Sequence, residues 1–223
     1  MTGSTEIAAR LDRSIADDRL LDHPFYRAWA AGTLTTDDLR FYSAQYWHQV
    51  EAFPGYLEAL AGRLPESHAR RSVLENLADE RDGDHPGLWL RFASAVGADR
   101  DEVAGTPAEA ETLACIEAFE AAARSRPPLY ALGMIYGYES QTPGVCETKI
   151  SGLRDLYGVD GPGLEYFELH GELDVEHAGE LAAAIEELAG DEEDLRAAEE
   201  GAVAGARAVR GLLDGVARVR GIG

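Results

Sequence analysis

Residues 167–180 read FELHGELDVEHAGE and contain the pattern His170-x3-Asp174-x2-His177. At about 100° of rotation per residue, these three side chains lie in one narrow stripe along a helix. Two imidazoles and a carboxylate on one stripe, directed into a helical bundle, can supply half of a metal centre. The alternative is an ordinary charged helix face, because further glutamates surround the three residues. The motif by itself leaves both interpretations open.

Helical periodicity continues through the rest of the chain, and we find no convincing alternation that would indicate a strand. A short helix is expected after His23-Pro24, and longer helices near residues 4–20, 36–62, 66–81, 86–96, 107–125, 127–140, 143–157, 162–188 and 192–218. No repeat or low-complexity linker divides the 223 residues, so we expect a single domain, 1–223. The predicted fold class is all-α, a bundle of seven to nine helices.

Acidic residues outnumber basic ones, with 41 Asp and Glu against 20 Lys and Arg and a net charge of −21. Nucleic-acid binding needs an excess of positive charge, so we expect none. Self-repulsion of this size is typical of proteins that work in high salt, which favours a halophilic source. No apolar run approaches the ~20 residues that span a bilayer, and the first residues lack the layout of a secretory signal. A cytoplasmic protein with no membrane partner is therefore expected.

The composition also singles out Lys149, because the other nineteen basic residues are all arginine. Lysine can lose its proton in a buried site and act as a nucleophile or amine donor, which arginine effectively cannot. A position that needed only positive charge would be expected to carry arginine in this chain. The alternative is a surface lysine present by chance.

Two further segments offer metal ligands. In LENLADERDGDHPGLW, residues 74–89, Glu80 stands near a helix end and His85 follows a short turn. Glu75, about one and a half turns earlier, is an alternative ligand, and a capping or surface histidine is the more common explanation of such a spacing. Glu139 is a lone acid after a largely apolar stretch, so it needs either a metal or an arginine as partner.

Together these segments supply three carboxylates and three histidines from three predicted helices. Mixed imidazole and carboxylate ligation suits iron or manganese better than structural zinc. Bridging carboxylates from facing helices can hold two metals a few ångströms apart. The residues alone therefore favour a helical protein with a dinuclear metal centre.

Other candidates are weaker. His48 and Glu51 form an i, i+3 pair on the predicted long helix and are expected to line or buttress the cavity. Trp89 is interpreted as helical core, His23 as a helix-start residue, and Cys146 as buried packing because no adjacent base is evident.

Five segments together resemble the CADD-like proteins, which are haem-oxygenase-like diiron oxidases distantly related to thiaminase and pyrroloquinoline-quinone synthase. The segments are HPFY, QYWHQVEAFPGY, LENLADERDGDHPGLWLRFASAVG, YGYESQTPGVCETKISGLRDLYG and LEYFELHGELDVEH. The resemblance covers roughly residues 20–180. It implies a haem-oxygenase-like bundle with an Fe/Fe or Mn/Fe pair, molecular oxygen and an external reductant. The ligands it implies are Glu80, His85, Glu139, His170, Asp174 and His177, with Glu75 or Asp79 as substitutes for Glu80, because the loop before His85 is about two residues shorter than in the family.

The resemblance also implies an activity, the synthesis of para-aminobenzoate for folate without a conventional precursor. Such proteins are understood to use one of their own tyrosines as the ring source, here Tyr26, and a lysine as the amino donor, here Lys149. Tyr138 and Tyr166 match tyrosines that relay electrons or radicals. The alternatives are a diiron oxidase acting on an external amino acid or fatty acid, and a helical binding or scaffold protein. The expected partners are molecular oxygen and an electron donor, with a homodimer left open.

Overall fold

The computed structural model describes residues 3–223, which form eleven α-helices and three short 3₁₀ turns, with no β-strand in that range. The helices are α1 (Gly3–Ser14), α2 (Pro24–Ala30), α3 (Thr36–Ala61), α4 (His68–Asp82), α5 (His85–Ala95), α6 (Arg100–Gly105), α7 (Ala110–Ser125), α8 (Pro128–Glu139), α9 (Thr142–Asp155), α10 (Glu165–Leu188) and α11 (Glu192–Arg220).

The all-α class predicted from the sequence is confirmed. Helices α2 and α6 have only seven and six residues, whereas the other nine have at least eleven. The nine longer helices agree with the expected seven to nine, and the short helices α2 and α6 bring the total to eleven. The helix expected over residues 4–20 ends at Ser14, whose hydroxyl donates to the Leu11 carbonyl at 2.7 Å and competes with the helical hydrogen bond.

Side-chain caps mark the starts of helices α2 and α3, and α2 carries Tyr26. The Nδ1 atom of His23 accepts from the backbone N–H of Phe25 at the start of α2, which confirms His23 as a helix-start residue. At the start of α3, Thr35 and Asp38 form a reciprocal capping box. Such caps satisfy backbone donors that have no partner within the helix. They therefore define where α2 and α3 start.

Helices α8 and α11 approach each other at glycines spaced four residues apart on both helices. A Cβ atom at Gly133 would lie 2.0 Å from the Ala198 carbonyl oxygen, and one at Gly201 would lie 2.0 Å from a carbonyl oxygen of α8. Gly137 and Gly205 form equally close contacts with the opposite backbone. Only glycine permits this spacing, which fixes α8, and with it the residues at its carboxyl end, against α11.

Helix α10 lies at the centre of the bundle and contacts α1, α4, α5, α8 and α9. Its buried side includes the His-Asp-His stripe identified in the sequence. Within residues 3–223, none of the helices combines the length and apolar character needed to cross a lipid bilayer.

Candidate functional site

The structure brings the six predicted ligands into two groups of three where α4, α5, α8 and α10 meet. Within each group the potential ligand atoms all lie within 4.8 Å of one another, and all six residues are buried. The first group is Glu80, His85 and His170, and the second group is Glu139, Asp174 and His177. We refer to these as the first and second ligand groups.

A tight turn between α4 and α5 assembles the first ligand group. Asp84 adopts a left-handed conformation, with φ of 52°, and begins α5. A Cβ atom at Gly83 would lie 2.5 Å from Nε2 of His85, so the imidazole can approach this turn only because residue 83 is glycine. His85 Nδ1 consequently lies 2.8 Å from an oxygen of Glu80.

Helix α10 supplies the other imidazole of the first group. His170 Nε2 lies 3.7 Å from the second Glu80 oxygen, and Nδ1 lies 2.8 Å from the Tyr166 carbonyl oxygen one turn earlier. The Tyr166 ring stacks on the His170 ring, with centroids 4.0 Å apart. The backbone and this stacking orient the ring, so that Nε2 is directed at Glu80.

The second ligand group joins α8 to the next turns of α10. His177 Nδ1 lies 3.5 Å from Asp174 Oδ1 and 4.0 Å from Glu139 Oε1. The side chain of Asn76, on α4, donates to the same Glu139 oxygen at 2.9 Å. Outside the group, His177 Nε2 contacts the Asp79 carboxylate at 3.2 Å.

The structure distinguishes between the acids that the sequence left as alternatives. Glu80 is only 6% exposed and lies in the first group, whereas Glu75 is exposed and belongs to neither group. The side chain of Asp79 is 49% exposed and touches a ligand histidine from outside. The α4–α5 turn therefore brings Glu80 to His85.

Several buried polar atoms of these groups have no hydrogen-bond partner in the described part of the chain. They include Nε2 of His85, Nδ1 of His177, Oε2 of Glu139 and Oδ1 of Asn76. Buried polar atoms are normally paired, because leaving them unpaired is unfavourable. Imidazole and carboxylate are the donors that iron and manganese accept. The residues present therefore fit metal ions.

Burial and mutual charge shift the titration of both groups. Burial raises the pKa of Glu139, and repulsion from Asp174 raises it further. Burial opposes the charged form of His177 as well, but its carboxylate neighbours outweigh that effect and raise its pKa. Similarly, contacts with His170 and His85 outweigh burial and lower the pKa of Glu80 to about 2. A cation that binds here must displace protons, so binding is expected to weaken at low pH.

Lys149 occupies a separate buried position on α9. Its Nζ atom donates to the Tyr42 hydroxyl at 2.6 Å, and only 2% of the residue is exposed. Nζ also lies 4.8–5.6 Å from the centroids of five aromatic rings. We call these rings the lysine cage: Tyr26, Tyr42, Tyr46, Trp89 and Phe167.

Among residues 3–223, no carboxylate forms an ion pair with Lys149. Burial lowers the pKa of Lys149 to about 7. A substantial fraction of the side chain is therefore a neutral amine at neutral pH, which is the nucleophilic form.

Tyr26 is one wall of the lysine cage. Its ring centroid lies 5.6 Å from Nζ of Lys149. Only 2% of Tyr26 is exposed, and burial raises the pKa of its phenol, so the hydroxyl stays protonated at neutral pH. The two residues that the family resemblance assigns to product formation thus lie side by side.

A series of aromatic contacts connects the lysine cage to both ligand groups. The Tyr46 hydroxyl donates to the Tyr138 hydroxyl at 2.9 Å, and Tyr138 directly precedes Glu139. The Tyr46 ring stacks on Trp89 at 5.0 Å, and Trp89 meets Tyr166 edge-on at 4.9 Å. Both tyrosines expected to relay electrons therefore contact aromatic residues of the cage.

Part of the site was not predicted from the sequence. Tyr42 and Tyr46 were not identified, although their spacing of four residues on one helix face was a usable signal. Trp89 is buried as expected for core, but it also forms part of the lysine cage. The expectation for His48 and Glu51 is wrong: His48 Nε2 bonds to the Thr106 carbonyl at 2.9 Å and Glu51 is exposed.

Comparison with known proteins agrees with this geometry. Residues 40–210 match the model of a haem-oxygenase-like family described as iron-containing redox enzymes, a range that includes all six predicted ligands and Lys149 but not Tyr26. A protein of Chlamydia pneumoniae named 4-aminobenzoate synthase is 36% identical over 184 residues, which are 82% of this chain and 82% of its own length.

Two solved structures share the fold at low sequence identity. A TenA homolog from Pseudomonas syringae superposes with a TM-score of 0.83 at 16% identity, covering 95% of this chain and 93% of its own. A CADD-like protein of unknown function from Nostoc punctiforme has a TM-score of 0.78 at 16% identity, and both chains are covered completely. At this identity the two structures support the fold alone.

Proposed function

The chain belongs to the haem-oxygenase-like family of iron-containing redox enzymes, and on that basis we propose that it is a metal-dependent 4-aminobenzoate synthase that consumes parts of its own chain. The synthase name carried by the relative from Chlamydia pneumoniae supports the product. The position of Lys149 supports the route, because the sole lysine is buried against Tyr26 and has a pKa lowered to about 7.

The composition of the product matches the two side chains. 4-Aminobenzoate contains a six-membered aromatic ring, one carboxyl carbon and one amino nitrogen. The ring and Cβ of Tyr26 supply the seven carbons, and Nζ of Lys149 supplies the nitrogen. The Cα–Cβ and phenolic C–O bonds of Tyr26 would break, which leaves hydrogen on Cα and releases the phenolic oxygen as water. The Cε–Nζ bond of Lys149 would break with oxidation of Cε to an aldehyde, while a bond forms between the ring and the nitrogen. Oxidation of Cβ to a carboxylate and of Cε to an aldehyde is balanced by reduction of two molecules of oxygen to the level of water, with an external electron donor supplying two electrons.

The two ligand groups would hold a pair of metal ions, either two irons or one iron and one manganese. Glu80, His85 and His170 would bind one ion, and Glu139, Asp174 and His177 the other. When bound, such ions supply the ability to use molecular oxygen as an oxidant. Sequestering the site from solvent protects reactive species from side reactions, and all six ligands are buried.

The lysine cage performs the remaining tasks. Aromatic walls exclude water from the amine, which keeps part of it neutral and holds it next to the ring it would attack. Tyr42 accepts a hydrogen bond from Lys149 and would hold the amine beside the Tyr26 ring. Tyr46 can exchange a proton with Tyr138 along their hydrogen bond, in step with electron movement between the two rings.

Intact-protein mass spectrometry tests this function directly. Protein loaded with iron, with or without manganese, is reduced and exposed to oxygen without any added organic substrate. We expect at most one 4-aminobenzoate per chain, together with a loss of mass that peptide mapping places at Tyr26 and Lys149. A Tyr26→Phe variant keeps the ring and the packing but removes the phenolic oxygen, and should bind metal normally yet form no product.

A chain that makes 4-aminobenzoate while keeping its mass would contradict self-consumption. Product that appears only after an amino acid or fatty acid is added would instead favour the external-substrate oxidase. A helical scaffold without catalysis would bind no transition metal, and its His170→Ala variant would behave as the parent protein does.

A further inference from the structure

The two ligand groups differ in how well they are covered from solvent. Tyr166 covers His170 in the first group by stacking on its ring. The second group lies beneath a surface depression of about 80 Å³ between α4 and α10. Residues that line this depression include Ser72, Glu75, Asn76, Asp79, His177 and Glu180. His177, a ligand of the second group, is therefore in contact with a solvent-facing cavity.

The groups also differ in what orients their histidines. His170 is held by a backbone carbonyl and a stacked ring that both belong to its own helix. His177 is held through Nε2 by the side chain of Asp79, which belongs to another helix and is 49% exposed. An exposed ion pair of this kind adds little to folding stability. The contact between Asp79 and His177 is better explained by its effect on which imidazole nitrogen carries the proton.

A neutral imidazole carries its proton on one nitrogen and its lone pair on the other. When Nε2–H donates to Asp79, the lone pair is on Nδ1. That atom lies 3.5 Å from Asp174 Oδ1 and 4.0 Å from Glu139 Oε1, and it has no hydrogen-bond partner in the described chain. Asp79 therefore selects the nitrogen that faces the other two ligands.

We propose that Asp79 is a positioning residue: it sets Nδ1 of His177 as the ligand atom and makes the second group the site that exchanges its metal ion through the depression between α4 and α10. This inference rests on the proposed metal centre. Hydrogen-bond partners of metal-bound histidines commonly determine the affinity of a site in this way. The first group, in which a backbone carbonyl holds His170 and the Tyr166 ring covers it, should retain its ion longer.

Zinc is a suitable probe because it is diamagnetic and does not react with oxygen. Native mass spectrometry and chelator competition give the number of bound ions and their separate affinities. We expect two zinc ions in the parent protein. An Asp79→Ala variant should bind one of them about 10–100-fold more weakly and keep the affinity for the other. Asp79→Asn can still accept a hydrogen bond and should give an intermediate loss.

Glu75→Gln is the matched control, because it removes a negative charge from the same depression at an exposed position. It should change neither affinity. Nitrogen-15 spectra of the zinc-loaded histidines give a readout that general destabilisation would not produce. In the parent protein, His177 should carry its proton on Nε2 and zinc on Nδ1, and this preference should be lost in Asp79→Ala.

Three outcomes would overturn the inference: unchanged affinities in Asp79→Ala, equal weakening of both ions, or an equal loss in Glu75→Gln. Circular dichroism of each variant checks that the fold is intact. If the parent protein itself binds no zinc, the proposed metal centre fails as well. If the parent protein binds two zinc ions and Asp79→Ala binds both with the same affinities as the parent, only the proposed role of Asp79 is wrong.

Discussion

The lysine cage surrounds a single amine with aromatic rings, whereas the ligand groups bring carboxylates and imidazoles into mutual contact and leave buried atoms unpaired. Both regions bury ionisable groups in the same bundle. In the cage, burial is accommodated by loss of a proton, because the pKa of Lys149 is lowered to about 7. In the ligand groups, an incoming cation would compensate the charge. Burial therefore favours the neutral form of the amine in the cage, and in the ligand groups it leaves unpaired atoms that a cation could bind.

This contrast gives the two regions opposite pH dependences in the metal-free protein. Lys149 has a folded pKa below its ordinary value of 10.5, so stability increases as pH rises from about 7 towards 10.5. Glu139 and His177 have raised pKa values in the folded state. The stability that these two groups contribute is fully present below their ordinary pKa values. It is lost as pH rises through their pKa values in the folded state.

The largest expected effect comes from replacing the caged amine. Lys149→Arg keeps a permanent charge among aromatic rings without a carboxylate, and should lower the free energy of unfolding by about 3 kcal/mol or more. Lys149→Met is similar in length and neutral, and should retain the stability of the parent protein. Neither variant should form 4-aminobenzoate, since neither has a transferable nitrogen. Urea denaturation and product assay check both statements.

Equal stability of the arginine and methionine variants would contradict the interpretation of the cage as a site for a neutral amine. Product formation by Lys149→Arg would exclude lysine as the nitrogen donor.

The next test removes the hydrogen bond that connects the lysine cage to the second ligand group. The hydrogen bond between Tyr46 and Tyr138 connects the lysine cage to a residue adjacent to a ligand. Tyr46→Phe removes only this hydroxyl and should slow product formation about 100-fold, the usual size of a lost proton-transfer partner. Metal content should not change. Single-turnover kinetics after oxygen addition measure the rate.

Tyr56→Phe is the control on the same helix, because Tyr56 is buried and its hydroxyl bonds to Gln49 at 3.4 Å, away from the cage. It should leave the rate within about twofold of the parent protein. Equal slowing in both variants would indicate loss of packing rather than loss of a proton path.

A smaller effect is expected when the charge is removed from the second ligand group. In metal-free protein, the burial of Glu139 destabilises its ionised form, so Glu139→Gln should be more stable by about 2 kcal/mol at pH 8 and equally stable at pH 4. Urea denaturation in the presence of a chelator provides the comparison. With metal present, the order should reverse, because the amide is a weaker ligand than the carboxylate.

A variant that is less stable than the parent at pH 8 without metal would show that Glu139 is already compensated by protein groups, leaving no need for a cation.

The smallest expected effect is the contribution of Lys149 to the pH dependence of stability. Between pH 7.5 and 9, the parent protein should gain about 1 kcal/mol of stability per pH unit relative to Lys149→Met, because the unfolded lysine takes up a proton that the folded one lacks. Other groups titrate equally in both proteins and cancel. Identical pH profiles for the two proteins would mean that Lys149 keeps its proton when buried.

Much of the fold could be predicted because amphipathic helices leave a periodic pattern within their own segments. Ten of the eleven helices were expected near their observed positions, and α6 was missed because six residues are too few to show periodicity. Likewise, the spacing of His170, Asp174 and His177 by itself places three side chains on one helix face, where the structure buries them.

Contacts between distant helices could not be predicted in the same way. The spacing of Tyr42 and Tyr46 could show that they share a helix face, but it could not show that Lys149 lies opposite them. The outward position of Glu51 was missed because its helix has apolar residues on more than one side. Asp79 gave no signal of its present role, since that role depends on a ring nitrogen 98 positions away.

The amino-acid sequence alone determined the helical class, the acidic character, the unique lysine and the chemistry of the six ligands, because these follow from composition and local periodicity. Only the tertiary structure decided that Glu80 rather than Glu75 faces His85, that the ligands form two groups of three, and that Lys149 is enclosed by aromatic rings beside Tyr26. Those outcomes depend on how helices far apart in the chain are packed, and packing is a property of the whole bundle rather than of any one segment.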